Sequence, residues 1–191
     1  FNVAVNVVSR VVWVYFLVLT CFLLAFGKLG DLKGFKKIYI AGIFVFLSGS
    51  ILCYFADDFN LLVFFRVYQA FGSAVLFALT PAIIAAGIPV EMRGKVYGIN
   101  YSFTALGGII GRALSGFLID GLGWNSIFLI NIPIGIIALI ITYKYLHNYY
   151  SAKSEKRFDV VGTLLIFFGL LTLLYAINTG DGFGWTSITI I

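Results

Sequence analysis

Gly27-Lys28-Leu29-Gly30-Asp31-Leu32-Lys33-Gly34-Phe35-Lys36-Lys37 stands between two long apolar runs and separates them. Three glycines let a backbone turn sharply or let helices approach closely, so the stretch reads as a tight loop. Its lysines belong on the cytoplasmic face of a bilayer, and Asp31 is the one group here able to cap a helix or pair with a cation. A short basic loop between apolar runs makes those runs membrane spans, and that reading decides the fold.

The composition agrees with it. Of the 191 residues, 61% are hydrophobic and 11% charged, and the mean hydropathy is +1.04. A water-soluble domain carries about 25% charged residues. The net charge of +5 could suggest nucleic acid, but the charges are sorted by connection. Lys28, Lys33, Lys36, Lys37, Arg93, Lys95, Lys144, Lys153, Lys156 and Arg157 fall in alternate connections, while Asp57, Asp58, Asp120 and Asp181 mark the others. The basic balance therefore encodes orientation, and the expected partners are the lipid bilayer and a small molecule, not nucleic acid. Cys21 and Cys53 lie inside apolar runs, where a thiol acts as a small hydrophobe.

Six spans follow, at about 10–27, 38–56, 60–87, 96–119, 125–146 and 160–178, with a seventh starting near Trp185. Each is long enough to cross roughly 30 Å of hydrocarbon as a helix and must satisfy its own backbone, so the fold class is an all-α, polytopic transmembrane helix bundle. The segments 28–37, 90–95 and 147–158 are expected on the cytoplasmic side. The first residue is Phe and Ile191 lies in an apolar run, so the chain reads as a fragment. It divides into a bundle over 1–146, a cytoplasmic linker over 147–158 and a further helical segment over 159–191.

Arg66 is the sharpest single residue, with Gln69, Ala70 and Ser73 three, four and seven positions on and thus on one helical face. An arginine at membrane depth is costly and should face a bundle interior, paired with an acid or with backbone carbonyls. The competing reading is an arginine that snorkels to the outer surface. Arg112 lies in the middle of the fourth span, where Gly107, Gly111 and Ser115 recur every fourth residue as a smooth packing face and Gly108 and Gly116 flank the arginine. Pro81 and Pro133 should each kink a span. Asn100, Tyr101, Ser102 and Asn131 are candidates for substrate contact or for hydrogen bonds between helices. His147 has no second histidine or cysteine at ligand spacing, and no catalytic motif, metal site or cofactor site is legible.

Taken together the motifs resemble the major facilitator superfamily, and within it the fourteen-helix drug:proton antiporters of the EmrB/QacA type. Gly27, Leu29, Asp31 and Gly34 match the superfamily's loop between helices 2 and 3, followed by the basic Lys36 and Lys37, with Gly30 between them. In the stretch Leu62 to Gly72, Arg66, Gln69 and Gly72 resemble the helix 4 motif, while Ala70 stands where glycine is usual. Ile88 to Lys95, with Glu91 and Arg93, resembles the inner loop between helices 4 and 5, and Gly123 to Gly135 resembles a helix 6 stretch. Phe158 to Gly162 and Gly184 to Ser187 look like the extra central helices of the fourteen-helix branch. The antiporter motif of helix 5 normally contains Gly-Pro, and Gly111-Arg112 departs from it; Arg10 stands where an aromatic is common.

The resemblance implies a chain running from the loop after helix 1 to the start of helix 8. The whole protein is then expected to be a multi-pass plasma-membrane transporter, not an enzyme, working by alternating access without a cofactor. It implies a gating role for the 27–37 segment with Asp31 pairing across the inner gate. It also implies a proton-coupling role for Arg66 with Gln69, protons and a small-molecule substrate as partners, and dependence on the remaining helices. Transport of a metabolite or anion by the same fold, and a non-transporting membrane scaffold, stay open beside drug efflux.

Overall fold

The computed structural model describes residues 5–147 and 160–183. All regular structure among them is helical: α1 Val5–Lys33, α2 Phe35–Tyr54, α3 Phe59–Gly87, α4 Val90–Leu122, α5 Ser126–Leu129, α6 Asn131–Tyr145 and α7 Val160–Phe183. Five stretches are long and apolar enough to cross a membrane, with α5 and α6 together forming one of them. The expected linker lies outside the described residues from position 148 onward, as does the span expected near Trp185.

The helices run further than the apolar stretches do. The expected loop over 27–37 is a correction: residues 27–33 complete α1, and the chain reverses at Gly34 alone, with φ 90° and ψ 137°. Nothing before Gly34 breaks a helix, so lysines and Asp31 are carried on helical backbone; only a residue without Cβ accepts that positive φ cheaply. The Gly34 amide donates back to the Gly30 carbonyl at 2.9 Å, which closes the last turn. The inner loop expected over 90–95 is likewise helical. The break is at Ile88 and Pro89, both extended, because a residue before proline is driven out of the helical region. Glu91 then sits in the first turn of α4, where a carboxylate favours the helix dipole, and Arg93 donates from Nε to the Ile88 carbonyl at 3.0 Å.

α3 is the central element, packed along α1 and α2. It starts at Asp58, whose carboxylate accepts from the Asn60 amide at 3.0 Å. The α2–α3 seam is built on glycine. A Cβ at Gly49 would lie 2.8 Å from the Gln69 Cα, one at Gly72 would strike the Phe46 backbone, and one at Gly42 would meet the Val75 side chain at 2.6 Å. The close approach expected at Gly107, Gly111 and Ser115 of α4 is not made among the described residues: at Gly107, Gly108, Gly111 and Gly116 no atom lies within 4 Å of an added Cβ. No residue of α4 is buried.

α3 continues through Pro81 without interruption. The fifth span, by contrast, is divided at Ile130. Pro133 lacks the N–H that would bond the Leu129 carbonyl, and its ring crowds that same carbonyl, so the hydrogen-bond ladder fails one turn ahead of the proline. Ile130 keeps helical dihedrals, φ −63° and ψ −27°, so the span changes its bonding and not its course. α7 rests on α1 through aromatic rings, with Phe22 and Phe167 centroids 5.1 Å apart and Trp13 and Tyr175 6.5 Å apart.

A candidate functional site around Arg66

Two apolar clusters close the bundle at opposite ends. Val11, Cys53, Ala56, Leu62 and Phe128 form one; Phe35, Val75 and Leu79 form the other, next to the Gly34 turn. Between them lies a polar layer contributed by α1, α2, α3 and α6. Arg66, two turns into α3, is its one charged member. Its guanidinium carbon lies 5.1 Å from the Tyr15 ring centroid and 4.8 Å from that of Phe128, so the cation is held between two aromatic rings. Attraction of a desolvated cation to a ring face is worth about 0.5–2 kcal/mol. The Tyr15 ring is itself anchored, its hydroxyl 2.5 Å from that of Ser73.

Arg66 Nη1 donates to Gln69 Oε1 at 2.9 Å. Gln69 is fully buried and donates from Nε2 to the Ser50 hydroxyl at 2.6 Å. Asn131, the first residue of α6, donates to the same hydroxyl at 3.3 Å, and Ser50 donates to the Phe46 carbonyl at 2.9 Å. The interior placement of Arg66 therefore holds, but its partner is corrected. Among the described residues it meets an amide oxygen and two rings in place of an acid or backbone carbonyl, and its buried Nε has no hydrogen-bond partner.

Gln69, Ala70 and Ser73 are buried on the same face of α3, as their spacing from Arg66 predicts. Tyr15, Phe128 and Ser50 are site residues that sequence reasoning missed. Each is an ordinary member of an apolar run, and the one available cue was Gly49 beside Ser50, which marks a place where α2 comes close to α3.

The other expected site residues lie apart from this layer. Asp31, near the C-terminal end of α1, forms no ion pair among the described residues. Gly30 packs against Leu79, whose side chain an added Cβ would overlap, whereas Gly27 has open space. Lys36 donates to the Tyr143 carbonyl at 2.8 Å and lies 5.5 Å from that ring centroid, capping the end of α6 from the start of α2. Leu29 borders a small apolar cleft with Gly42 and Val75. Lys37, Glu91 and Arg112 are exposed; the Arg112 carbonyl accepts the Ser115 hydroxyl at 2.8 Å. Asn100, Tyr101 and Thr104 of α4 line a cleft of about 190 Å³ against Leu76, Thr80 and Pro81, and Tyr97 donates to the Pro81 carbonyl at 2.9 Å. Ser102 is exposed.

A set of membrane-length helices that holds a half-buried cation in a polar layer between two apolar ends defines a polytopic α-helical membrane protein. Residues 1–191 match the Major Facilitator Superfamily, and the chain belongs to that superfamily. It is 36% identical over 178 residues to the riboflavin transporter RibZ of Clostridioides difficile, covering 93% of this chain and 39% of that protein. It is 32% identical over 192 residues to the multidrug resistance protein Stp of Mycobacterium tuberculosis, covering 100% of this chain and 36% of that protein. It is 35% identical over 187 residues to the methylenomycin A resistance protein of Bacillus subtilis, covering 96% of this chain and 40% of that protein. The chain thus spans less than half the length of these relatives.

Proposed function

We propose that the whole protein is a secondary active transporter of the fourteen-helix drug:proton antiporter branch, exporting drugs or other amphipathic compounds in exchange for protons by alternating access. Within it, 1–146 forms most of the first six-helix bundle, 147–158 a cytoplasmic linker and 159–191 a further helix and the start of the next. The protein sits in the cell membrane with the 28–37, 90–95 and 147–158 segments on the cytoplasmic side, as the placement of lysine and arginine supports.

The observation that carries this reading is the half-buried Arg66 with its buried, unpartnered Nε. A cation so held lowers the pKa of a carboxylate brought beside it, and releases a proton when the two meet. The carboxylate comes from a helix outside the described residues, and binding of substrate and proton there alternates. Asp31 and the Gly34 turn, with Gly27, Leu29, Gly30, Lys36 and Lys37 around them, form the inner gate. Glu91 and Arg93 act beside it at the start of α4, and Gly107, Gly111, Arg112, Ser115 and Gly116 form the helix 5 face that meets the rest of the transporter.

In inverted vesicles carrying the full-length protein, an imposed proton gradient is expected to drive uptake of a cationic dye, with Arg66→Ala reducing the rate to background. Gradient-driven uptake unchanged in Arg66→Ala removes Arg66 from coupling. A second reading, metabolite transport, is supported by the similarity to a riboflavin transporter. Riboflavin carried in place of the dye in the same vesicles selects it.

A further inference from the structure

We propose that Ser50 is a positioning residue for Arg66, acting from α2 through Gln69, and that Asn131 ties this position to the interrupted fifth span. The inference about coupling rests on the proton-transport role proposed for Arg66, whereas the positioning itself stands on hydrogen-bond chemistry.

A hydroxyl has one proton to give and two lone pairs to offer. Ser50 gives its proton to the Phe46 carbonyl and takes one N–H each from Gln69 and Asn131, so all three capacities are used. A guanidinium is a donor only, so the Gln69 amide can face Arg66 with its oxygen alone, which turns its NH2 toward α2. There, at a site with no exposure for either residue, Ser50 Oγ accepts it. Removing that oxygen leaves two arrangements. The buried NH2 stays without an acceptor, or the amide flips and sets its NH2 against the guanidinium. Both penalise the present position of Arg66. Gly49 supports the geometry, since a Cβ there would hold the Gln69 backbone away from α2. Asn131 brings in α6 immediately after the break at Ile130, so the set of bonds around one hydroxyl joins α2, α3 and the broken span.

The test uses the full-length protein with Ser50→Ala, Ser50→Thr and Asn131→Leu, and two readouts. One is the pH profile of gradient-driven dye uptake. A displaced arginine depresses its carboxylate less, so the midpoint in Ser50→Ala is expected to move to higher pH by up to about one unit, the size of the amide–hydroxyl bond that is lost. Ser50→Thr, which keeps the hydroxyl, is expected to restore the wild-type midpoint, and Asn131→Leu to move it partway. The other readout is the Arg66 Nε–H resonance of protein labelled with 15N-arginine, expected to be sharp in wild type and Ser50→Thr and exchange-broadened in Ser50→Ala. If Ser50→Ala fails to accumulate, Ser50→Cys, with its weak sulfur acceptor, takes its place in both measurements.

An unshifted midpoint together with an unchanged Arg66 resonance overturns the proposal. So does an equal loss of rate in the alanine and threonine variants at a fixed midpoint, which marks simple packing. Wild-type uptake indifferent to the proton gradient overturns the coupling role instead, and the resonance alone then decides the positioning.

Discussion

Arg66 was legible as soon as the sequence was divided into spans, because a single cation in an apolar helix has few stable places to go. Its surroundings were not legible. Tyr15 and Phe128 are two among 11 tyrosines and 20 phenylalanines, and nothing local distinguishes a ring that faces a cation from one that faces lipid. What selects them is tertiary: the Ser73 hydroxyl anchors one ring and the apolar cluster at the start of α3 holds the other. The consequence can be measured on the purified full-length protein by thermal unfolding in detergent. Tyr15→Phe keeps the ring face and loses one hydrogen bond, a cost of about 1 kcal/mol. Tyr15→Leu loses the ring as well and is expected to destabilise by a further 0.5–2 kcal/mol or so. Equal melting temperatures for the two variants count against the aromatic clamp.

At the scale of elements, the order of the first five spans followed from hydropathy, while their ends did not. Charge marks where a chain leaves hydrocarbon, and a helix has no reason to stop there. α1 carries Lys28, Asp31 and Lys33 past the apolar run and ends at Gly34; α4 begins at Val90, well before its apolar portion. The backbone breakers Gly34 and Pro89 were better guides to the ends than the lysines. Pro133 shows the same physics in reverse, since its effect appears a turn earlier, where the Leu129 carbonyl loses the hydrogen bond it would have accepted and the helix breaks at Ile130. Pro133→Ala supplies the missing donor. It is expected to slow amide hydrogen exchange over residues 130–134 by about tenfold or more, in keeping with one recovered backbone bond, and to join α5 and α6 into one ladder. Exchange there as fast as in the wild type means that something other than the proline interrupts the span.

For the molecule as a whole, the sequence pointed to close helix packing on α4, and the described residues make it instead between α2 and α3. The seam uses Gly42 and Gly49, seven residues apart on α2, with Gly72 on α3, whereas the four-residue spacing of α4 is left open, and a face is covered only if another helix reaches it. α4 has no buried residue, and its two sides differ in chemistry. Gly108, Arg112 and Gly116 recur every fourth residue along one side, whereas Phe103, Ile110 and Phe117 recur every seventh along the opposite one, all three more than half exposed. An arginine facing hydrocarbon at mid-span costs several kcal/mol, while the aromatic and aliphatic side suits lipid. In the full-length protein the Arg112 side is therefore expected to face water or other helices and the Phe103 side to face the bilayer. With Cys21 and Cys53 replaced by alanine, single cysteines can be placed at Gly108→Cys and Ile110→Cys. A membrane-impermeant thiol reagent, applied to each side of sealed vesicles in turn, is expected to label position 108 from at least one side and to leave 110 unlabelled. Transport substrate should slow labelling at 108 if that side lines the translocation path. Labelling of 110 in preference to 108 would place Arg112 against lipid and reverse the assignment of the two faces.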